Sequence, residues 1–165
     1  MMPTENATVA VCDSPAEADR TLRELREAGF ETRSVSVAAR DGARQKMVAC
    51  YYQAGTGMRC CGHAGTFWNG VWEMLPGWAI LDIPDLGGLL VAGRLAEWVV
   101  AGLENAAIFS GLSALGAALY SIGIPKEAIA EYEAALAEEK YLVIAHGPAG
   151  EVARAKRVFR AQELG

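Results

Sequence analysis

The stretch from residue 62 to residue 124 most constrains how this chain can fold. It is apolar, rich in glycine and alanine, and thinly charged. Small residues recur in it at every fourth position, and on a helix such residues lie on one face. Three stripes of this kind can be read: Gly62, Thr66 and Gly70; Gly88, Ala92 and Ala96; and Ala106, Ser110, Ala114 and Ala118. The pattern predicts helices whose small faces let a second backbone approach closely.

Three environments can bury such helices. Residues 105–125 carry no charge, and about 20 apolar residues are enough to cross a bilayer. The segment before them holds Arg94, Glu97 and Glu104, each costing about 2.5–3.5 kcal/mol at a bilayer centre. We therefore favour helices buried between copies of the chain. A membrane span and a hairpin lying in the membrane interface are the alternatives.

The composition also indicates a partner surface. Of the 165 residues, 52% are hydrophobic and only 21% are charged, which is more apolar surface than one domain of this size needs. The net charge is −5 and no basic face emerges, so we expect no nucleic-acid partner. The N-terminal residues lack the basic and apolar blocks of a signal peptide. We expect a cytoplasmic protein, with association at the inner face of the cell membrane as the alternative.

The segment before the apolar stretch begins with a strand and a capped helix. Residues 8–12 are β-rich, and Ser14 follows them as a helix N-cap. Glu17, three residues later, completes the pattern of a capping box. Gly29 is placed to end the helix.

Further β and α patterns follow on both sides of the stretch. Residues 32–39 alternate, which predicts a strand with Ser34 and Ser36 on a solvated face. Residues 46–52 form a second β-rich run, so we predict a hairpin over 32–52. After the stretch, the sequence predicts a helix from Pro125, a strand at 141–146 and a terminal helix.

The resulting order is β-α-β-β-(helical hairpin insert)-α-β-α. Without the insert, it is the order of a ferredoxin-like α+β sandwich with an extra C-terminal helix. The sequence thus predicts a first sandwich segment at 7–57, an apolar helical insert at 58–124 and a second sandwich segment at 125–163.

Two runs resemble a known family. The run Val-Ala-Val-Cys-Asp-Ser-Pro-Ala-Glu-Ala at 9–18 resembles the opening of bacterial general stress (heat-induced stress) proteins, and the run 111–127 is similar to related proteins with a glycine-rich hydrophobic insert. The likeness covers about residues 8–160. It implies a stress-associated protein and transfers no catalytic residue. The chain departs from the family pattern at Cys60, Cys61, Arg94 and Glu97.

One cluster carries soft metal ligands. Met58, Cys60, Cys61 and His63 lie within six positions, and such ligands suit Cu(I) or Zn(II). Adjacent cysteines hold one ion less comfortably than a C-x-x-C pair does, and a disulfide between them would be strained. The alternative is that they are small buried residues at the start of a helix.

Other polar and aromatic residues of the stretch allow two interpretations each. Glu97 and Glu104 with Arg94 form either a polar relay or an exposed ion pair, and the pair is favoured. The four tryptophans, all within the stretch, suit either a membrane belt or a subunit interface. His146 is interpreted as structural. No Ser-His-Asp order, phosphate loop or dinucleotide fingerprint is present in the sequence.

The sequence therefore favours a non-enzymatic, homo-oligomeric, stress-associated or scaffold protein. Its packed helices would enclose an apolar compartment for a lipid or quinone, or present a surface to a larger protein partner. A membrane-associated stress protein and a metal-binding or redox protein using Cys60, Cys61 and His63 are the alternatives. The predicted interface consists of small residues: Gly88, Ala92, Ala96, Ala106, Ser110, Ala114 and Ala118.

Overall fold

The computed structural model describes residues 6–40, 49–53, 57–61, 69–71, 74–75, 78–83, 87–104 and 114–164. The strands are β1 (Asn6–Cys12), β2 (Val35–Arg40), β3 (Ala49–Gln53), β4 (Gly57–Cys61), β5 (Trp78–Ile83), β6 (Gly87–Ala92) and β7 (Tyr141–Gly147). The helices are α1 (Pro15–Glu27), α2 (Leu95–Glu104), α3 (Ala114–Ser121), α4 (Lys126–Ala137) and α5 (Ala149–Leu164), with a short 3-10 helix at Thr32–Ser34. The mixed α+β class is confirmed.

Five strands form one antiparallel sheet in the order β1-β7-β2-β6-β5. Strands β1 and β2 both run antiparallel to β7, which lies between them, so they are parallel to each other and are joined by α1. Strands β6 and β7 flank β2 in the same way, and the chain between them contains α2, α3 and α4. Strands β3 and β4 form a separate two-stranded hairpin.

Helices cover both faces of the five-stranded sheet. Helices α1 and α5 contribute Leu22 and Phe159 to the core on one face. Helices α2, α3 and α4 contribute Leu95, Leu119 and Leu136 to the core on the other face. Strand β7, in the interior of the sheet, is buried along its whole length. Much of the apolar surface from which the sequence predicted a partner is thus buried within the chain itself.

Helix α1 begins where the sequence predicts. Ser14 has an extended backbone, and its hydroxyl accepts the N–H of Glu17 at 3.2 Å. The carboxylate of Glu17 accepts the N–H of Asp13 at 2.8 Å, one residue before the N-cap. The two side chains satisfy N–H groups reciprocally, as in a capping box displaced by one residue.

The prediction of a helix through Gly88 and Ala92 is wrong. Gly87–Ala92 is strand β6, which pairs with β2 on one side and β5 on the other. Leu89, Leu90 and Val91 are consecutive and buried, with Leu90 in one core and Leu89 and Val91 in the other. A continuous apolar run is typical of a strand covered on both faces, and spacing by four does not distinguish it from a helix.

The predicted hairpin over 32–52 is also wrong. Strand β2 pairs with β7 and β6, whereas β3 pairs with β4. The predicted solvated face of β2 is wrong, because Ser36 is fully buried. Its hydroxyl lies against the start of α2. Part of the predicted insert 58–124, namely β5 and β6, belongs to the same sheet as the flanking segments.

The predicted interface needs a correction at three positions. Ala92, Ala96 and Ala118 are buried within their own chain, at 0%, 4% and 2% exposure, so they are not free to contact a second copy. Ala106 and Ser110 lie outside the described residues, as do Gly62 and Thr66 of the first stripe. Gly88 lies on β6 and Ala114 begins α3, but their surroundings are not described.

In the part of the chain that the structure describes, no helix combines the length and the apolar character that a membrane crossing requires.

Candidate functional site

A polar pocket of about 480 Å³ lies at one end of the sheet, where β7 leads into α5. Polar, charged, glycine or proline residues line it: Gly29, Glu31, Arg33, Ser34, Arg94, His146, Gly147, Pro148, Glu151 and Arg154. They come from the segment between α1 and β2, which contains the 3-10 helix, from the turn before α2, from the end of β7 and from the start of α5. Loops that join interior strands to helices thus meet at this end and form the pocket.

The rear of this pocket contains a buried serine–histidine pair. Nε2 of His146 lies 3.2 Å from the hydroxyl oxygen of Ser36. Both residues are almost completely buried. The same hydroxyl oxygen accepts the backbone N–H of Leu95 at 3.1 Å, which is the first residue of α2. Because a hydroxyl has one hydrogen and two lone pairs, Ser36 can serve both partners at once.

Gly93 allows β6 to turn directly into α2 at this point. Its φ angle is +94°, a conformation that side chains disfavour. A Cβ atom at this position would lie 2.5 Å from the carbonyl oxygen of Val35 and 2.7 Å from the hydroxyl oxygen of Ser36. The close approach of Gly93 to Ser36 therefore requires glycine.

Arg94, which lines the pocket, contacts the ring of Trp98 on α2. The guanidinium carbon of Arg94 lies 5.2 Å from the centroid of the Trp98 ring, a cation–π distance. The Trp98 ring in turn meets the His146 ring edge-on, with centroids 5.0 Å apart. Trp98 thus packs on the site within its own chain, and its predicted membrane or subunit role is not needed to explain it.

Arg154, which also lines the pocket, is held by three contacts. Its guanidinium donates to the carbonyl oxygen of Ala28 at the end of α1 and pairs with the Glu151 carboxylate at 2.7 Å. It also lies over the ring of Phe30, 4.3 Å from the centroid. These contacts fix the side chain while leaving about a third of it exposed.

The third arginine, Arg33, lies on the 3-10 helix and pairs with Glu31. The start of α5 adjoins these groups: Val152 donates its N–H to the carbonyl oxygen of Pro148, so Pro148 occupies the N-cap position. Proline has no side-chain acceptor for the free N–H groups of the first turn. The pocket thus combines three guanidinium groups and a helix N-terminus with two carboxylates.

The predicted metal cluster occupies another part of the fold. Cys60 and Cys61 lie on strand β4, so the expected helix start at this position is wrong. His63 lies outside the described residues. Strand β4 pairs with β3 so that Cys60 is opposite Cys50, and Met58 is opposite Tyr52. Where the structure describes the chain, His, Cys, Asp and Glu form no group of three suited to a metal ion.

Cys12 is a buried free thiol in the core beneath α1. Its sulfur lies 3.5 Å from the hydroxyl oxygen of Thr21, whose hydrogen is donated to the carbonyl oxygen of Glu17 at 2.9 Å. The S–H of Cys12 is therefore the donor to Thr21. Burial raises the pKa of the Cys12 thiol above its ordinary value.

The relay and the ion pair predicted for Glu97, Glu104 and Arg94 both stay predictions. Glu97 is exposed on α2, and Arg94 lies against Trp98. The side chain of Glu104 is not described.

Comparison with protein-family models, with curated proteins and with solved structures finds no match for this chain. The resemblance to bacterial general stress proteins therefore stays a prediction.

The sequence patterns do not predict this pocket. They favour a structural role for His146 and a solvated position for Ser36. A signal was present in the sequence: a histidine ends a buried strand and is followed by Gly-Pro and a helix, a common place for a ligand site in layered folds. The partners Arg33, Arg94 and Arg154 are far apart in sequence, so only the fold brings them together.

Proposed function

We propose that this protein binds a small anionic molecule bearing carboxylate or phosphate groups in the pocket at the end of the sheet. One observation carries the proposal. Three guanidinium groups from three separate elements, Arg33, Arg94 and Arg154, line one cavity, although the chain as a whole has a net charge of −5.

The chemistry of the lining supports an anionic ligand. A guanidinium offers planar paired N–H donors that match the oxygens of a carboxylate or phosphate. The N-terminus of α5 adds a partial positive charge and free backbone N–H groups. Glu31 pairs with Arg33 and Glu151 pairs with Arg154, and these contacts orient the two guanidinium groups.

The size and polarity of the pocket indicate the class of ligand. About 480 Å³ lies within the range of roughly 300–1,000 Å³ typical of small-molecule sites. Since the lining residues of this pocket are polar, charged, glycine or proline, it suits a polar metabolite rather than the lipid or quinone expected from the sequence.

Calorimetric titration with inorganic phosphate tests the proposal. We expect wild type to bind, and Arg94→Gln to weaken binding roughly ten- to hundredfold, because a hydrogen bond to a charged group contributes about 1.5–3 kcal/mol. Arg157→Gln is the matched control, since Arg157 is exposed on α5 and does not line the pocket. Equal weakening by both substitutions, or absence of binding to wild type, contradicts the proposal.

A second proposal retains homo-oligomeric association in a stress-associated or scaffold role, in the cytoplasm or at the inner face of the cell membrane. It is supported by two large apolar side chains that are exposed among the described residues, Tyr120 on α3 at 48% and Val11 on the sheet-edge strand β1 at 43%. The buried alanines of the predicted stripes do not support it.

Light scattering of wild type and Tyr120→Lys tests this association. We expect the substitution to reduce the mass in solution, and Glu127→Lys, an exposed position on α4, to leave it unchanged. A monomeric wild type contradicts the proposal.

The relation to the ferredoxin-like sandwich is also kept as a proposal. It is supported by the two connections β1-α1-β2 and β6-to-β7, each of which joins parallel strands and leaves one strand between them. The helices on both faces of the sheet are a difference from that sandwich, in which helices are segregated to one face.

A further inference from the structure

The hairpin β3–β4 brings together two cysteines that the sequence keeps apart. In its antiparallel register, Cys50 is directly opposite Cys60, and Ala49 is opposite Cys61. The order of the sequence groups Cys60 with Cys61 and His63, which lie within four positions. The register replaces that grouping with a cross-strand pair.

The geometry of an antiparallel ladder suits a disulfide at such a pair. Directly opposite residues have Cα atoms about 4.5 or 5.5 Å apart, depending on their place in the hydrogen-bond pattern. Both separations fall in the range of about 4.4–6.8 Å that disulfides span. The hairpin backbone therefore needs little movement to join Cys50 and Cys60.

We propose that Cys50 and Cys60 form a dithiol site that is reversibly oxidised to a disulfide by a low-molecular-weight disulfide such as oxidised glutathione. One protein thiolate attacks a sulfur of the reagent, forms a mixed disulfide and releases one glutathione thiolate. The second protein thiolate then attacks the protein sulfur of the mixed disulfide and releases the second glutathione. The two thiols lose two electrons and two protons, and the reagent gains them as two glutathione thiols.

The register also gives the site its selectivity. Successive residues of a strand project to opposite faces, so Cys61 lies on the other face of the hairpin from Cys60. A bond between the adjacent Cys60 and Cys61 would be strained. Cys12 is buried in the core of the five-stranded sheet, which removes it from competition.

Peptide mapping tests the proposal. The purified reduced chain is incubated with oxidised glutathione, its free thiols are alkylated, and it is digested with trypsin without reduction. Cys50 then lies in the peptide 47–59, and Cys60 and Cys61 lie in the peptide 60–94. We expect these two peptides to be joined, with the loss of two hydrogens, and to separate after dithiothreitol treatment.

Three variants and a denatured sample distinguish the pair from chance proximity. Cys61→Ser should keep the crosslink, whereas Cys50→Ser and Cys60→Ser should abolish it. In concentrated urea the register is lost, so the linkage should be spread over the four cysteines. Persistence of the crosslink in Cys60→Ser, glutathione adducts alone, or the same linkage pattern in urea as in the native protein would overturn the proposal. These outcomes do not depend on the anion pocket, because the residues that line that pocket come from other elements than β3 and β4.

Discussion

The hydroxyl oxygen of Ser36 lies 3.2 Å from Nε2 of His146, although 110 residues separate the two in the sequence. The same oxygen accepts the first backbone N–H of α2. Ser36 therefore links β2, the end of β7 and the start of α2 at the rear of the pocket. A single buried hydroxyl helps to fix the position of two elements that supply pocket residues, His146 directly and Arg94 through the turn before α2.

Replacing Ser36 with alanine should destabilise the protein. The substitution removes the hydroxyl that accepts the buried N–H of Leu95 and contacts Nε2 of His146, and a buried N–H that loses its acceptor costs about 1–3 kcal/mol. Urea unfolding monitored by circular dichroism measures the change. Ser121→Ala is the control: Ser121 is exposed and donates to Ala118 within one helical turn, so its loss should cost less than about 0.5 kcal/mol. Equal costs for the two substitutions would contradict the role of Ser36.

Gly93→Ala should be among the most damaging glycine substitutions. The new Cβ would meet backbone atoms of Val35 and Ser36 at 2.5 and 2.9 Å, in a φ region that alanine disfavours. Strain of this kind costs about 1–3 kcal/mol, and overpacking adds about the same.

Gly150→Ala provides the comparison for Gly93. Its Cβ would have no heavy atom within 4 Å, and Gly150 lies in the first turn of α5. We expect its unfolding free energy to be unchanged or raised by up to about 1 kcal/mol. If thermal and urea unfolding show similar effects for the two substitutions, the close packing at Gly93 is wrong.

The buried thiol of Cys12 should make stability depend on alkaline pH. Burial raises its pKa in the folded state, whereas an unfolded thiol titrates near pH 8.5. Below that pH both states hold the proton, and the stabilisation is fully present. As the pH rises above about 8.5, the unfolded state loses the proton first, so the free energy of unfolding falls until the pH passes the folded pKa.

Cys12→Ala isolates this contribution. The variant loses some packing at every pH, but it lacks the titrating group. The difference in unfolding free energy between wild type and variant should therefore shrink between pH 8 and pH 10, by at most about 1.4 kcal/mol per pH unit. A difference that stays constant over this range would show that the thiol has no raised pKa.

Local sequence signals correctly predicted α1, β7 and α5. Ser14 and Glu17 cap α1 as expected, and the strand at 141–146 and the terminal helix are confirmed. For the cap of α1 and for the terminal helix, the hydrogen-bond partners lie within a few residues of one another. The strand at 141–146 pairs with distant segments, β1 and β2, but its short apolar run marks it in the sequence. A pattern read along the chain therefore contains the information that decides the structure.

The sequence patterns were misleading where contacts between distant segments determine the secondary structure or the burial of a residue. Leu89 to Ala92 are compatible with a helix or with a strand, and β2 and β5 on either side select the strand. Ser36 looks solvated in an alternating run, yet α2 covers it. The pocket arginines lie on three elements that only the strand order and the helices on both faces bring together. Their convergence has no signature within any one segment.

The most direct test of the central claim is a phosphate titration followed by NMR of the backbone amides. If an anion is bound between the start of α5 and the turn before α2, saturable shifts should appear for Gly147, Gly150, Glu151 and Arg94, and Arg94→Gln should weaken the titration roughly ten- to hundredfold. Amides of exposed residues on α4 serve as the internal control. Shifts that are absent from these four amides, or that are spread over the surface without saturation, would contradict the assignment of this pocket as a ligand site.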